Sequence, residues 1–398
     1  MSEWREYRFS EIIELIGGGT PKTSNPEYWD GEIPWLSVAD FNTGRKYVSS
    51  TEKLISEKGL NESSTKLLNS GDIIISARGT VGVVAMLDKP MTFNQSCYGI
   101  KAIENLSTNN FVYYLLKDTI SGFQQIAHGG VFDTITKDTF KEIEILLPPF
   151  HEQTAIASIL SSLDDKIDLL HRQNTTLEKM AETLFRQWFV EEAKDDWEEI
   201  RLGSIVDVIN GVSYKSDDLN SSNTAMVTLK SFDRNGGFRI DGFKEYTGKY
   251  KVQHILKEGD LVVAHTDITQ EADVIGNPVM VIGDPKYDTM IFSMDLVKVI
   301  SKDENYSNEF LYLLMKSNEF KEHCLGYSNG STVLHLSKKA VPEYEMKLPP
   351  NNLINDFSKM VKPLVQKQFK NQTQIRTLTA LRDTLLPKLM SGEVRVEM

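Results

Sequence analysis

Few segments of this chain carry residue types that invite a chemical reading. Leu147-Pro148-Pro149-Phe150 has the outline of an Asx-Pro-Pro-aromatic loop, which grips a target base by accepting a hydrogen bond from its exocyclic amine. Leu147 has no side-chain oxygen to accept with, and no Gly-rich cofactor loop follows a strand in either half of the chain. Both Leu-Pro-Pro segments, 147–149 and 348–350, therefore read as strand-to-helix junctions. Ile16-Gly17-Gly18-Gly19-Thr20-Pro21-Lys22 resembles a phosphate cradle but lacks the Gly-Lys-Ser/Thr that opens a helix beneath the phosphates, so it reads as a backbone turn. Glu345-Met346-Lys347 has a nuclease-like Glu-x-Lys spacing, yet its counterpart Glu144-Ile145-Leu146 has no lysine and no upstream Asp partner is evident. No nucleophilic triad or HExxH helix is present, and Cys97 and Cys324 with seven scattered histidines make no metal-ligand pattern. The expectation is a non-enzyme with no metal and two buried, unpaired cysteines.

What could position binding residues follows from the rest of the chain. Its 398 residues suggest two or three domains, with 40% hydrophobic and 25% charged residues, as in ordinary globular proteins. A net charge of −12 excludes bulk electrostatic attraction to nucleic acid, so any such contact must come from local basic surface. No apolar run is long enough to span a bilayer and the N-terminal residues lack a signal-peptide core, so the expected location is the cytoplasm.

The chain is written twice. Trp4-Arg5-Glu6-Tyr7-Arg8-Phe9 returns as Trp197-Glu198-Glu199-Ile200-Arg201-Leu202, an offset of 193. Gly71-Asp72-Ile73-Ile74-Ile75 matches Gly259-Asp260-Leu261-Val262-Val263, and Phe111-Val112-Tyr113-Tyr114-Leu115 matches Phe310-Leu311-Tyr312-Leu313-Leu314, at 188 and 199. Ile135-Thr136-Lys137 and Leu147-Pro148-Pro149 return at 201 as Leu336-Ser337-Lys338 and Leu348-Pro349-Pro350. Drifting offsets mean loops of different length on one scaffold. Each copy begins with β-branched runs closed by Gly, Asn and Asp plus one helical stretch, an α+β pattern, and ends in about 40 residues nearly free of Gly and Pro, a long helix. The expected divisions are 1–147 and 193–348 for the domains, 148–192 for the first spacer helix, and 349–398 for the second with its C-terminal tail.

The two helices carry complementary heptad seams. Ile156, Leu163, Leu170, Leu177 and Leu184 recur every seven residues, with Leu160, Ile167, Asn174, Ala181 and Trp188 four residues after each. In the second helix Phe357, Leu364, Asn371, Leu378 and Leu385 alternate with Val361, Gln368, Ile375, Arg382 and Leu389, a weaker seam because Gln368 and Arg382 interrupt it. Antiparallel pairing at a constant residue sum of 545 sets Leu160 on Leu385, Ile167 on Leu378, Asn174 on Asn371, Ala181 on Leu364 and Trp188 on Phe357. The two seam asparagines meet and would set register, and residues 148–192 carry net −4 against +4 for 349–398. The expected architecture is two similar α+β domains in pseudo-two-fold repeat, held apart by a long antiparallel coiled coil of about 50 Å. The alternative is that each helix covers only its own domain.

Gly18-Gly19-Thr20-Pro21, Ile33-Pro34-Trp35-Leu36, Gly71-Asp72, Arg78-Gly79-Thr80-Val81-Gly82 and Asn94-Gln95 together resemble the target recognition domain of Type I restriction-modification specificity subunits. The second half is similar to the same family through Gly259-Asp260, Thr266-Asp267-Ile268-Thr269-Gln270, Gly330-Ser331-Thr332-Val333-Leu334-His335-Leu336, and Leu378–Leu386 followed by Pro387-Lys388-Leu389-Met390-Ser391-Gly392-Glu393. It lacks Gly-Thr-Pro and Ile-Pro-Trp. The resemblance implies a non-catalytic subunit that recognises a bipartite, asymmetric sequence in double-stranded DNA, one half-site per domain. It further implies docking to two adenine-methyltransferase subunits and an ATP-dependent restriction subunit, with S-adenosylmethionine, ATP and Mg held by those partners and none by this chain. Domains on a rod independently suit half-sites about one helical turn, or roughly 34 Å, apart.

Candidate DNA contacts in the first domain are Lys22, Thr23, Arg45, Lys46, Arg78, Asn94 and Gln95, the cations for phosphates or guanine and the amides for adenine. Those in the second are Lys215, Lys230, Arg234, Arg239, His265 and Lys338. Neither domain is basic overall, which predicts that basic loops face DNA and that partner subunits supply much of the phosphate clamp. Two other readings compete: a two-domain protein scaffold without DNA readout, and a self-sufficient methyltransferase, against which the missing cofactor loop argues.

Overall fold

A computed structural model of the chain describes residues 4–126, 134–233, 237–268, 271–330 and 333–396. It divides into two units, Met1–Arg172 with Asn371–Met398, and Gln173–Lys370.

In the first unit a five-stranded sheet runs in the order Ile13–Gly17, Cys97–Ala102, Ile73–Ser76, Val84–Leu87, Tyr47–Val48. Ile73-Ile74-Ile75 lie at its centre with both faces covered, which is why this strand reads as a continuous apolar run and not as an alternation. A three-stranded sheet places Trp29–Leu36 between Lys53–Ile55 and Thr92–Phe93. Pro34 sits in that central strand, and its carbonyl accepts from the Thr92 hydroxyl at 2.9 Å. Arg5–Arg8 pairs antiparallel with Glu144–Leu147, so the two ends of this half meet just before Pro148-Pro149.

The helix Phe150–Arg186 starts at that junction, as expected of a Leu-Pro-Pro stop. Gln153, buried, fastens it: its amide donates to the Leu106 and Pro148 carbonyls, both at 2.9 Å, and accepts from the Ser107 hydroxyl at 2.8 Å.

The second unit is likewise mixed helix and strand. Glu198–Arg201 pairs with Glu345–Leu348, a four-stranded sheet runs Val206–Asn210, Leu296–Ser301, Leu261–Ala264, Pro278–Met280, and a second runs Lys244–Glu245, Thr224–Val227, Thr289–Phe292, Ile255–Leu256. Helix Asn308–Met315 is N-capped by Ser307, whose hydroxyl accepts from the Phe310 amide at 3.2 Å. Cys97 and Cys324 are buried free thiols, each pushed up to about 12 by burial.

The second long helix, Asn351–Met390, passes through Pro363 and Pro387, both exposed. Inside the first unit Ile156 and Leu160 share a core with Leu385, Leu386 and Leu389, and Ile167 and Leu170 pack with Ile375 and Leu378. Inside the second, the Trp188 and Phe357 rings lie 5.9 Å apart, while Ala181 and Leu364 share one core. The residues that broke the heptad seam have polar partners: Arg382 Nη1 donates to Asp164 Oδ1 at 2.6 Å, and the Gln368 amide donates to Glu178 Oε2 at 2.5 Å. Asn371 is fully buried in the first unit and Asn174 half-buried in the second.

Candidate nucleic-acid interface

One end of the five-stranded sheet in the first unit gathers most of the sequence candidates. Three loops leave the sheet there: the glycine turn after Gly17, the turn before Cys97, and the Arg78-Gly79-Thr80-Val81-Gly82 loop between Ser76 and Val84. Backbone bonds join them, from Gly19 N to the Phe93 carbonyl at 3.0 Å and from Ala77 N to the Ser96 carbonyl at 2.8 Å. A Cβ on Gly18 would lie 2.1 Å from the Asn94 carbonyl oxygen, and one on Gly19 would lie 2.4 Å from the Thr65 amide nitrogen. The glycine run is thus a packing device that lets the turns approach, as its reading as a backbone turn requires.

The side chains at this end are polar. Asn94 Oδ1 accepts from the Ser96 amide at 3.0 Å and so shapes its own turn. Next to it Gln95 is exposed and accepts a hydrogen bond from the Thr20 hydroxyl. Arg78 is exposed, its backbone bridging Thr134, and its loop is tied to Ser76, whose hydroxyl donates to the Thr80 carbonyl at 2.5 Å and accepts from Val83 N at 2.8 Å. Lys22 and Thr23 are exposed beyond the glycine turn, where the Trp29 indole donates to the Lys22 carbonyl at 3.3 Å. Thr20, a partner of Gln95, stands outside the candidate contacts although it belongs to the Gly18-Gly19-Thr20-Pro21 motif, which is the signal for it in the sequence.

Lys46 requires correction. It is 2% exposed, donates to the Ser161 hydroxyl at 2.8 Å, and lies 5.0, 5.8 and 5.3 Å from the Tyr47, Tyr113 and Tyr114 ring centres. Burial pushes its ammonium group below the usual lysine range. Lys46 therefore braces the strand Tyr47–Val48 against the long helix and cannot reach a ligand outside. Arg45 beside it is exposed, and its charge, after burial, helps push the His171 imidazole down to about 4.

In the second unit the candidates are more dispersed. Lys215, Lys230 and Lys338 are exposed. Arg239 is held in a two-pronged ion pair with Asp241, at 3.1 and 2.6 Å, which occupies the fork that would grip guanine. Arg234 lies outside the described residues. His265 also differs from expectation as a cationic contact: burial pushes it down to about 4, leaving it neutral near pH 7 despite a backbone hydrogen bond with Ser337. With Lys338, Lys302, Asn210 and Asp207 it lines a cavity of about 290 Å³.

Among the described residues no group of three or more His, Cys, Asp or Glu could hold a metal, and no helix is long and apolar enough to cross a membrane. The family described as Type I restriction modification DNA specificity domain matches residues 1–179 and again 194–376. The chain is 30% identical to the Type I restriction enzyme MjaIX specificity subunit of Methanocaldococcus jannaschii, over 99% of this chain and 94% of that one. It is 24% identical to the HindI specificity subunit of Haemophilus influenzae, over 99% and 100%. Its fold is shared with a crystal structure of a Type I restriction-modification S subunit from M. genitalium, at TM-score 0.56 and 19% identity over 100% of this chain and 97% of that one. Repeated match, full-length identity and shared fold agree: the chain belongs to the Type I restriction-modification specificity subunits, a non-catalytic family with two target recognition domains.

Proposed function

We propose that the chain reads a bipartite, asymmetric DNA sequence, with residues 1–147 and 193–348 each recognising one half-site. The observation that carries this reading is the occurrence of the DNA specificity domain twice in one chain. The gathering of Lys22, Thr23, Arg78 and Gln95 at one end of a sheet supports it in the first domain, because cations for phosphates and an amide for a base edge belong side by side in a major-groove reader.

The helices 148–192 and 349–398 act as an antiparallel coiled coil that sets the gap between half-sites, with Asn174 and Asn371 fixing register. Supporting contacts within each unit are Arg382 with Asp164 and Trp188 with Phe357, whose residue sums fall at or next to 545. The chain docks two adenine-methyltransferase subunits and an ATP-dependent restriction subunit, which hold S-adenosylmethionine, ATP and Mg. It works in the cytoplasm, in defence against phage. Because both domains are acidic overall, the partners supply much of the phosphate clamp.

Methylated adenines mapped across the host genome, with the gene intact and deleted, test this reading. Loss of one bipartite motif and no other is the expected result. A methylome unchanged by the deletion overturns it and favours a two-domain protein-binding scaffold.

A further inference from the structure

The turn that presents Gln95 in the first unit has a counterpart in the second that carries a different chemistry. In the first, Asn94 N bonds the Leu36 carbonyl at 3.0 Å and Cys97 N bonds the Asn94 carbonyl at 3.3 Å. In the second, Ser293 N bonds the Val227 carbonyl at 3.0 Å and Leu296 N bonds the Ser293 carbonyl at 3.0 Å. Gly19 N on the Phe93 carbonyl at 3.0 Å becomes Val212 N on the Phe292 carbonyl at 2.8 Å, and Ala77 N on the Ser96 carbonyl at 2.8 Å becomes His265 N on the Asp295 carbonyl at 2.7 Å. A Cβ on Gly211 would lie 2.1 Å from the Ser293 carbonyl oxygen, the same approach that Gly18 makes to Asn94.

By this register Met294 stands where Gln95 stands. Its side chain is 53% exposed, although its backbone is fixed by a 2.8 Å bond from its amide to the Val212 carbonyl. Three residues beyond His265, Ile268 is 73% exposed, at the place Thr80 holds beyond Ala77. The first unit thus puts an amide and a hydroxyl at this end of its sheet, and the second puts a thioether chain and an isoleucine on a frame closed by the corresponding backbone bonds. Two exposed lysines follow segments anchored at this end: Lys215 lies three residues after Val212, and Lys338 two residues after Leu336, whose amide bonds the His265 carbonyl at 2.8 Å. Asp295 turns its carboxylate back to the Ser293 hydroxyl at 3.3 Å. An apolar tip with exposed lysines on the adjoining segments fits a surface that is anionic at its rim and carries methyl groups within, which in duplex DNA means the thymine 5-methyl groups of the major groove. An unbranched, polarisable methionine adapts to such a methyl without needing a directed hydrogen bond.

Resting on the DNA-reading function above, we propose that Met294, with Ile268 on the adjoining loop, reads thymine by methyl contact in the second half-site. The complex with its methyltransferase partners is assayed on duplexes carrying the mapped motif, each thymine of the second half replaced in turn by deoxyuridine. One such replacement should slow methylation by wild type about fourfold, the effect of losing the burial of one methyl group. M294A should lose that discrimination, treating the two duplexes alike, while M294L keeps it and the first half-site is read unchanged. A second half-site without thymine, or an M294A complex as sensitive to deoxyuridine as wild type, overturns the proposal. If neither half of any motif depends on this chain, it is the DNA-reading function itself that fails.

Discussion

Arg382 Nη1 donates to Asp164 Oδ1 at 2.6 Å with 9% and 2% of the two side chains exposed, an ion pair buried inside the first unit. The carboxylate also accepts from the Tyr114 hydroxyl at 2.7 Å, so one residue ties together both long helices and the helix Asn109–Ile126 of the recognition domain. Glu178 plays the matching part in the second unit, accepting from Lys316, from the Tyr312 hydroxyl at 2.6 Å and from Gln368. Burial works to raise the Glu178 carboxyl, and Lys316, Tyr312 and Gln368 outweigh it, leaving it below the usual carboxylate range.

Removing one member of the buried pair leaves the other charge without compensation. D164L and R382M are each expected to destabilise the protein by about 3–5 kcal/mol in urea denaturation, and the double variant D164L/R382M by less than the sum. Additive losses would show that the two charges do not compensate one another.

Gly18 and Gly211 test the close approach of the turns. An alanine Cβ at either would sit 2.1 Å from a carbonyl oxygen, with the buried Phe93 ring 2.5 Å from the one at 18 and further backbone within 2.6 Å of the one at 211. G18A should cost about 1–3 kcal/mol and blur the first half-site alone, and G211A the second alone. Methylome mapping of the two variants separates them; loss of both half-sites from one substitution would contradict independent reading.

Lys46 and Gln95 should separate along a different line. K46M removes an ammonium held by Ser161 and three tyrosine rings, so it alters unfolding and leaves the methylated motif as it was. Q95A removes an exposed amide that accepts from the Thr20 hydroxyl, so it leaves stability within about 0.5 kcal/mol. It should relax one base position in the first half-site, with a loss of about tenfold or more in methylation efficiency there. A motif change in K46M with none in Q95A would reverse these assignments.

The contrast shows what the sequence could display. Repeats, strand-to-helix junctions and buried cysteines are properties of local pattern, and the helix starts at Phe150 and Asn351 follow from the prolines before them. Burial of a lysine is not local. The Ser161 hydroxyl that receives Lys46 is 115 residues away, and a lysine between two loops reads as surface. Arg382 and Gln368 looked like faults in an apolar seam because a heptad count sees only hydrophobicity; their partners Asp164 and Glu178 each follow a seam leucine by one residue. Met294 was hidden because the second copy lacks the Gly-Thr-Pro landmark, and only the backbone bonds reveal its register with Gln95.

His265 gives a pH test of the second unit. Its folded pKa is lowered, chiefly by burial, from 6.5 to about 4, so between these values the unfolded chain binds a proton that the folded one excludes. The stabilisation is therefore fully present above pH 6.5 and declines as pH falls towards 4. Between pH 7 and 5, before most carboxylates titrate, wild type should lose about 1–2 kcal/mol from this imidazole. H265Q, which cannot take up the proton, should flatten that part of the urea-denaturation profile. His171, lowered to about 4 by burial and then by Arg45, adds a slope of the same sign in the first unit, which H171Q should remove independently. An H265Q profile as steep as wild type would mean that His265 is solvated and cationic in the folded protein, which would return it to the set of phosphate contacts.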